Sequence, residues 1–237
     1  MNTGFFVTGT DTGVGKTAIT GGLTGVFRKK GIKAVAFKPV QTGGLESERG
    51  LLSEDALFYG AVTELPYSSQ ELNPCCLRPP LSPNVAARIS GQVIDPEALR
   101  KAYNRLAAEN DMVLVEGAGG ICVPLVDKHF TMADLARLFE LPLLVVARPG
   151  LGTINHTALT VSYARQAGLE VKGIIINGYR EDQATMAERT NPEVIQSMTG
   201  APVLGIVPYL SQLNVEMGRA GDLVDVIEDK VDWRKLI

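Results

Sequence analysis

The sequence predicts a single α/β domain over residues 1–237, built on a mostly parallel, doubly wound sheet with helices on both faces. Three observations carry this expectation. Short apolar runs of strand length alternate with stretches of helical length along the chain. Those runs lack polar alternation, as expected when helices cover both faces of parallel strands. The first run passes through a glycine-rich turn directly into a helical pattern.

Taken in order, residues 4–8 (GFFVT) are the first strand, and residues 17–30 a helix that stops before Gly31. Residues 33–37 (KAVAF) form the second strand, ending at Lys38-Pro39. Residues 96–109 have helical length and composition, and DMVLV (111–115) is a strand followed at once by Glu116. A helix over 132–140, a strand at 143–147 (LLVVA) and a helix over 153–167 come next. Strands at 172–176 (KGIII) and 203–207 (VLGIV) complete the set. The stretch 42–83 is rich in turns and carries no assigned element. No linker, repeat or low-complexity segment interrupts the pattern.

Composition narrows the function classes. The chain is 45% hydrophobic and 21% charged, enough apolar material for a folded core rather than long disorder. A net charge of −3 without a Lys/Arg block argues against a nucleic-acid partner. No apolar run approaches the roughly 20 residues that span a bilayer. The first residues carry no leader pattern, so a cytoplasmic protein without a membrane partner is expected. Cys75, Cys76 and Cys122 make no CxxC or secreted framework and are expected to be ordinary thiols. With only His129 and His156 as histidines, a structural zinc is not expected; packing or capping suits both better than acid–base work.

The chemistry begins at GTDTGVGKT, residues 9–17. Phosphate loops usually read G-x-x-x-x-G-K-[ST] between a strand and a helix. Gly15-Lys16-Thr17 fits, while the first glycine, Gly9, stands one place upstream of the usual spacing. Backbone N–H groups from Thr12 to Thr17 would hold anionic oxygens, Lys16 would reach the terminal phosphates, and Thr17 would offer its hydroxyl to Mg²⁺. The carboxylates for that metal are Glu116, at the carboxyl edge of a strand, and Asp55 in SEDAL. Gly117, Ala118 and Gly119 after Glu116 allow close backbone approach to a ligand. Lys38, leaving the second strand, is a second cation beside the loop. A competing reading is a dimerising regulatory ATPase of the Min/Par type. Those proteins carry an extra loop lysine where this chain has Asp11, an acid that would repel phosphate.

Five motifs in order, GTDTGVGKT, FKPVQTG, EDALF, LVEGAGGICVPL and NHTALT, make the chain resemble the dethiobiotin synthetases over nearly its whole length. The resemblance implies a fold of the phosphate-loop NTPase type and an ATP- and Mg²⁺-dependent ligase of biotin biosynthesis. Such enzymes close a cyclic urea on 7,8-diaminononanoate with CO₂ or bicarbonate, through a carbamate and a carbamic-phosphoric anhydride. Lys16 and Lys38 take the catalytic places, and Thr12 and Thr42 the hydroxyls around the carbamate. The nucleotide would be held by Gly13, Val14, Gly15, Lys16, Thr17 and Ala18, with Asp55, Glu116 and Gly117 to Gly119. Asn177, Gly178, Pro208, Tyr209 and Leu210 would surround the base. Thr17, Asp55 and Glu116 are the implied metal ligands. In RPGLGTINHTALT (148–160), the turn Gly150-Leu151-Gly152-Thr153 with Asn155, near the start of a helix, would receive the substrate carboxylate across a homodimer. The chain departs from the family pattern at Gly13, where some members have an acid. It departs also at Thr42, where serine is usual, and at Asn84, where histidine is common.

Overall fold

The structure, a computed structural model, describes residues 3–48 and 50–237. The chain opens with strand β1 (Thr3–Gly9), a nine-to-fifteen loop, and helix α1 (Lys16–Lys29). Strands β2 (Ala34–Phe37) and β3 (Val40–Thr42) follow, then a small hairpin of β4 (Leu45–Ser47) and β5 (Gly50–Leu52). Helices α2 (Glu54–Thr63) and α3 (Ser69–Leu72) lead to β6 (Cys75–Leu77), which pairs in parallel with β3. Next come α4 (Pro83–Ser90), α5 (Pro96–Glu109), β7 (Met112–Gly120) and α6 (Met132–Leu138). The chain closes with β8 (Leu143–Ala147), α7 (Thr153–Gln166), β9 (Val171–Tyr179), α8 (Met186–Thr199), β10 (Val203–Pro208) and α9 (Leu223–Lys230).

Among the described residues the central sheet has six strands in the order β10-β9-β8-β1-β7-β2, and every pairing is parallel. Strand β1 lies inside the sheet, so the loop that leaves it opens at the carboxyl edge where neighbouring strands also end. The strands read as unbroken apolar runs because both faces are covered: all of β2 and β8 is buried.

Helix α1 is buried on most of its surface, packed between the sheet, α2 and α9. Glycine lets α9 come close. A Cβ at Gly25 would fall 2.5 Å from Val224 Cγ2, and one at Gly22 2.7 Å from Ile227 Cγ1. Arg28 and Lys29 in its last turn suit the negative end of the helix dipole.

Several elements differ from the sequence expectation. Strand β7 extends to Gly120, so Glu116 lies within the strand rather than after it. The small residues Gly117 to Gly120 continue the strand through an irregularity at which Gly119 takes φ 68°, and Gly120 pairs again with Gly9 of β1. Strand β9 likewise reaches Tyr179 and takes in Asn177. The stretch 42–83 contains two helices and four short strand segments, including α2, whose N-cap Ser53 accepts from the Ala56 amide. Helices α4, α8 and α9 are also additional. Pro192 inside α8 weakens its helical signal, although the Thr185–Glu188 capping box marks its start.

Leu114 is fully buried in β7, between Phe5 of β1 and Ala36 of β2. Leu114→Ala is expected to lower stability by about 2–5 kcal/mol, measured by urea unfolding of the purified protein.

Candidate active site

Register alone brings the key charges together. Phe37 pairs with Val115, so Lys38, the next residue, arrives beside Glu116, while Val7 of β1 pairs with Glu116 from the other side. The carboxylate, 1% exposed, thus sits between the strand that feeds the loop and the strand that delivers the lysine.

Lys38 Nζ lies 2.6 Å from Asp55 Oδ2 and 2.6 Å from Glu116 Oε1, with the Gly117 carbonyl at 3.5 Å. Burial works against its charge, but the two carboxylates outweigh it and hold the lysine above its ordinary pKa. Thr17 Oγ1 stands 3.1 Å from both Asp55 Oδ1 and Glu116 Oε1. Three hard oxygen groups therefore converge, two carboxylates and one hydroxyl. This donor set suits Mg²⁺, which takes one or two carboxylates and completes its shell with water and phosphate. Tyr59 donates its hydroxyl to Glu116 Oε2 in a short bond. Burial, and then the charge of Glu116, keep its phenol well above the usual tyrosine range.

The loop is arranged for an anion. Helix α1 is capped by Gly15 at φ 91° with no side-chain bond, so the N–H groups of its first turn face outward. Lys16 is buried and its Nζ donates to the Asp11 carbonyl at 3.1 Å. Burial lowers its pKa first, with Lys38 adding to the fall and Glu116 opposing it. One loop amide is not available: Thr12 N–H is bonded at 2.7 Å by Asp11 Oδ1. Asp11 thus serves the loop's own backbone.

Two clefts flank the loop. The first, about 420 Å³, is lined by Thr12, Lys16, Thr17, Lys38, Thr42, Asp55 and Glu116, with Ala118 and Gly119. The second, about 390 Å³, is lined by Val14, Asn177, Gly178, Pro208, Tyr209 and Leu210. Gly13, Gly15 and Ala18 border both. Gly117 lines neither, being packed against Phe6. Asn177 donates to the Val14 carbonyl at 2.9 Å and so ties β9 to the loop. The guanidinium of Arg180 stacks 3.4 Å from the centre of the Tyr209 ring.

The turn Gly150 to Thr153 is not gathered into either cleft, and neither is Asn155. The cap of α7 is Gly152, without a side-chain bond. Thr153, the first residue of α7, is wholly buried and its N–H is taken by the Gly150 carbonyl. Asn155 is exposed. Residues missed from sequence include Tyr59, Glu54, Glu216, Arg148 and Asn73. Asn73 donates at 2.7 Å to the Lys38 carbonyl and fixes the strand exit. For Tyr59 the available signal was its place four residues after Asp55, one helical turn away.

A parallel sheet with a glycine-rich loop running from an inner strand into a helix, faced by lysine and carboxylates, defines a nucleotide-binding protein of the phosphate-loop class. Solved structures agree at the level of fold. The MinC:MinD cell division complex of Aquifex aeolicus aligns at TM-score 0.61 and 18% identity, covering 96% of this chain and 93% of that one. A ParA family ATPase of Chlorobium tepidum aligns at TM-score 0.61 and 17% identity, covering 97% and 98%. A family model described as an AAA domain matches residues 3–217. Among curated relatives, the ATP-dependent dethiobiotin synthetase BioD of Anoxybacillus flavithermus is 42% identical, covering 89% of this chain and 94% of the relative. The protein of that name from Thermodesulfovibrio yellowstonii is 41% identical over 90% and 92%. The chain belongs to the family of ATP-dependent dethiobiotin synthetases. No described helix is long and apolar enough to cross a membrane.

Gly15 tests the loop geometry. A Cβ there would lie 2.0 Å from Asn177 Nδ2, at a φ that side chains rarely adopt. Gly15→Ala is expected to weaken ADP binding about 10-fold or more, as local strain of about 1–3 kcal/mol implies, measured by isothermal titration calorimetry.

Proposed function

We propose that the chain, acting in the cytoplasm as one catalytic unit over residues 1–237, closes the cyclic urea of dethiobiotin on 7,8-diaminononanoate with CO₂ and MgATP. The observation that carries this reading is the pair of lysines, Lys16 and Lys38, lining one cleft from two different elements. A phosphate loop that only binds nucleotide has no need of the second. Two cations favour a neutral amine and then its anionic carbamate, while Thr12 and Thr42 offer hydroxyls on the same cleft.

The steps follow from the substrates. One amine adds to CO₂ and loses a proton, giving a carbamate. A carbamate oxygen attacks the γ-phosphorus and ADP leaves, giving a carbamic-phosphoric anhydride. The second amine attacks the carbonyl carbon, phosphate departs, and the ring closes with loss of a proton. Lys16 and the loop amides from Gly13 to Ala18 hold the triphosphate and stabilise charge as the phosphoryl group passes. Thr17, Asp55 and Glu116 would hold Mg²⁺, which would supply charge neutralisation on the phosphates. Lys38 then turns from its carboxylates to the carbamate oxygens. The backbone of Ala118 and Gly119, which line the first cleft, would lie along the nucleotide, while Gly117, packed on Phe6, would only support it. Asn177, Gly178, Pro208, Tyr209 and Leu210 enclose the base, with the Asn177 carbonyl oxygen facing its amine.

The substrate carboxylate is assigned to the Gly150–Thr153 turn and Asn155 of a second copy. In such a homodimer each site would take this turn from its neighbour.

With labelled bicarbonate, diaminononanoate and MgATP, the purified protein is expected to yield labelled dethiobiotin with one ADP per ring; ATP hydrolysis indifferent to the diamine would refute the assignment. Lys38→Gln keeps a donor toward Glu116, so it is expected to fold with a lower melting temperature. Its turnover should fall roughly 10²-fold, as when one preorganised charge is removed from a transition state, measured by steady-state phosphate release.

A further inference from the structure

Glu116 Oε1 takes Lys38 and Thr17, which leaves Oε2 to a residue outside every sequence motif with an assigned role. That residue is Tyr59, fully buried on α2, whose hydroxyl donates to Oε2. It borders neither cleft, so it can reach the reaction only through the carboxylate it holds. One turn earlier on the same helix stands Asp55, the second carboxylate. The terminal torsion of a glutamate is broad, and a buried carboxylate held by one oxygen can rotate. The phenol removes that freedom and leaves Oε1 turned to Thr17 and Lys38.

We propose that Tyr59 is a positioning residue for the metal site, fixing the rotation of Glu116 while its helix fixes Asp55. The two carboxylates then approach the metal as one rigid unit rather than as independent side chains. This inference rests on the assignment of Glu116 as a metal ligand. A neutral tyrosine hydroxyl at ordinary pH is a donor that leaves the carboxylate its charge. A lysine at that place would compete with the metal for the same negative charge.

The test compares Mn²⁺ binding to the ADP-loaded protein, followed by electron paramagnetic resonance, in the unaltered chain and three variants. Tyr59→Phe keeps the ring and removes the hydroxyl. It is expected to weaken Mn²⁺ binding about 10-fold, in the range typical of lost partners behind metal ligands, with ADP affinity in the absence of metal unchanged. Phe58→Leu alters the neighbouring buried ring, which packs on α1 at Gly21, and should leave Mn²⁺ affinity as it was. Glu116→Gln should lose more Mn²⁺ affinity than Tyr59→Phe. Unchanged affinity in Tyr59→Phe beside a loss in Glu116→Gln would overturn the role of Tyr59 and leave the metal assignment standing. Unchanged affinity in Glu116→Gln would overturn both.

Discussion

The site depends on one carboxylate kept out of water. A buried charge is tolerated only when its oxygens are satisfied, and Glu116 gathers its surroundings from three other elements. Lys38 arrives from the end of β2, Thr17 from the first turn of α1, Tyr59 and Asp55 from α2, while β7 carries the glutamate itself. Well-packed apolar residues would hold these elements together about as well. The network is therefore better explained by what it arranges than by stability. It sets the phosphate loop, the second lysine and the acids at fixed mutual distances before any ligand arrives.

The same network sets the state of Lys38. Its ammonium rests between two carboxylates, held on both sides at 2.6 Å. In that position it offers no free charge to an anion. A cation bound by Asp55 and Glu116 would compete for the same oxygens, so loading the acids and releasing the lysine would be linked events. On the proposed mechanism, the lysine's service to the substrate would then be conditional on the charge of its neighbours, an arrangement that a lone surface lysine cannot provide.

Much of this was legible in the sequence, and the legible parts are local. The loop is readable because Gly15-Lys16-Thr17 stands between an apolar run and a helical pattern. Lys38 and Glu116 are readable because both stand where apolar runs give way to polar residues at a sheet edge. What was not legible depends on contacts between distant positions or on small residues. The strand was expected to stop at Val115, yet β7 runs on to Gly120, because Glu116 pairs with Val7 and, past an irregularity, Gly120 pairs with Gly9. Helix α2 has apolar residues without a clean stripe, since Ala56, Phe58 and Tyr59 are all buried against α1 and the sheet. The part played by Tyr59 needs a hydrogen bond across 57 positions. The start of α7 was legible, but not that Gly152 caps it while the side chain of Thr153 is buried.

The two clefts share only Gly13, Gly15, Ala18 and Val215, so the loop and one neighbouring valine act as a party wall. A long ligand threaded across it would have one end in each chamber, and a smaller molecule in the first chamber would meet only that ligand's far end. The wall would thus set where the two guests touch, and a change of its thickness at Gly13 or Gly15 would be felt on both sides at once.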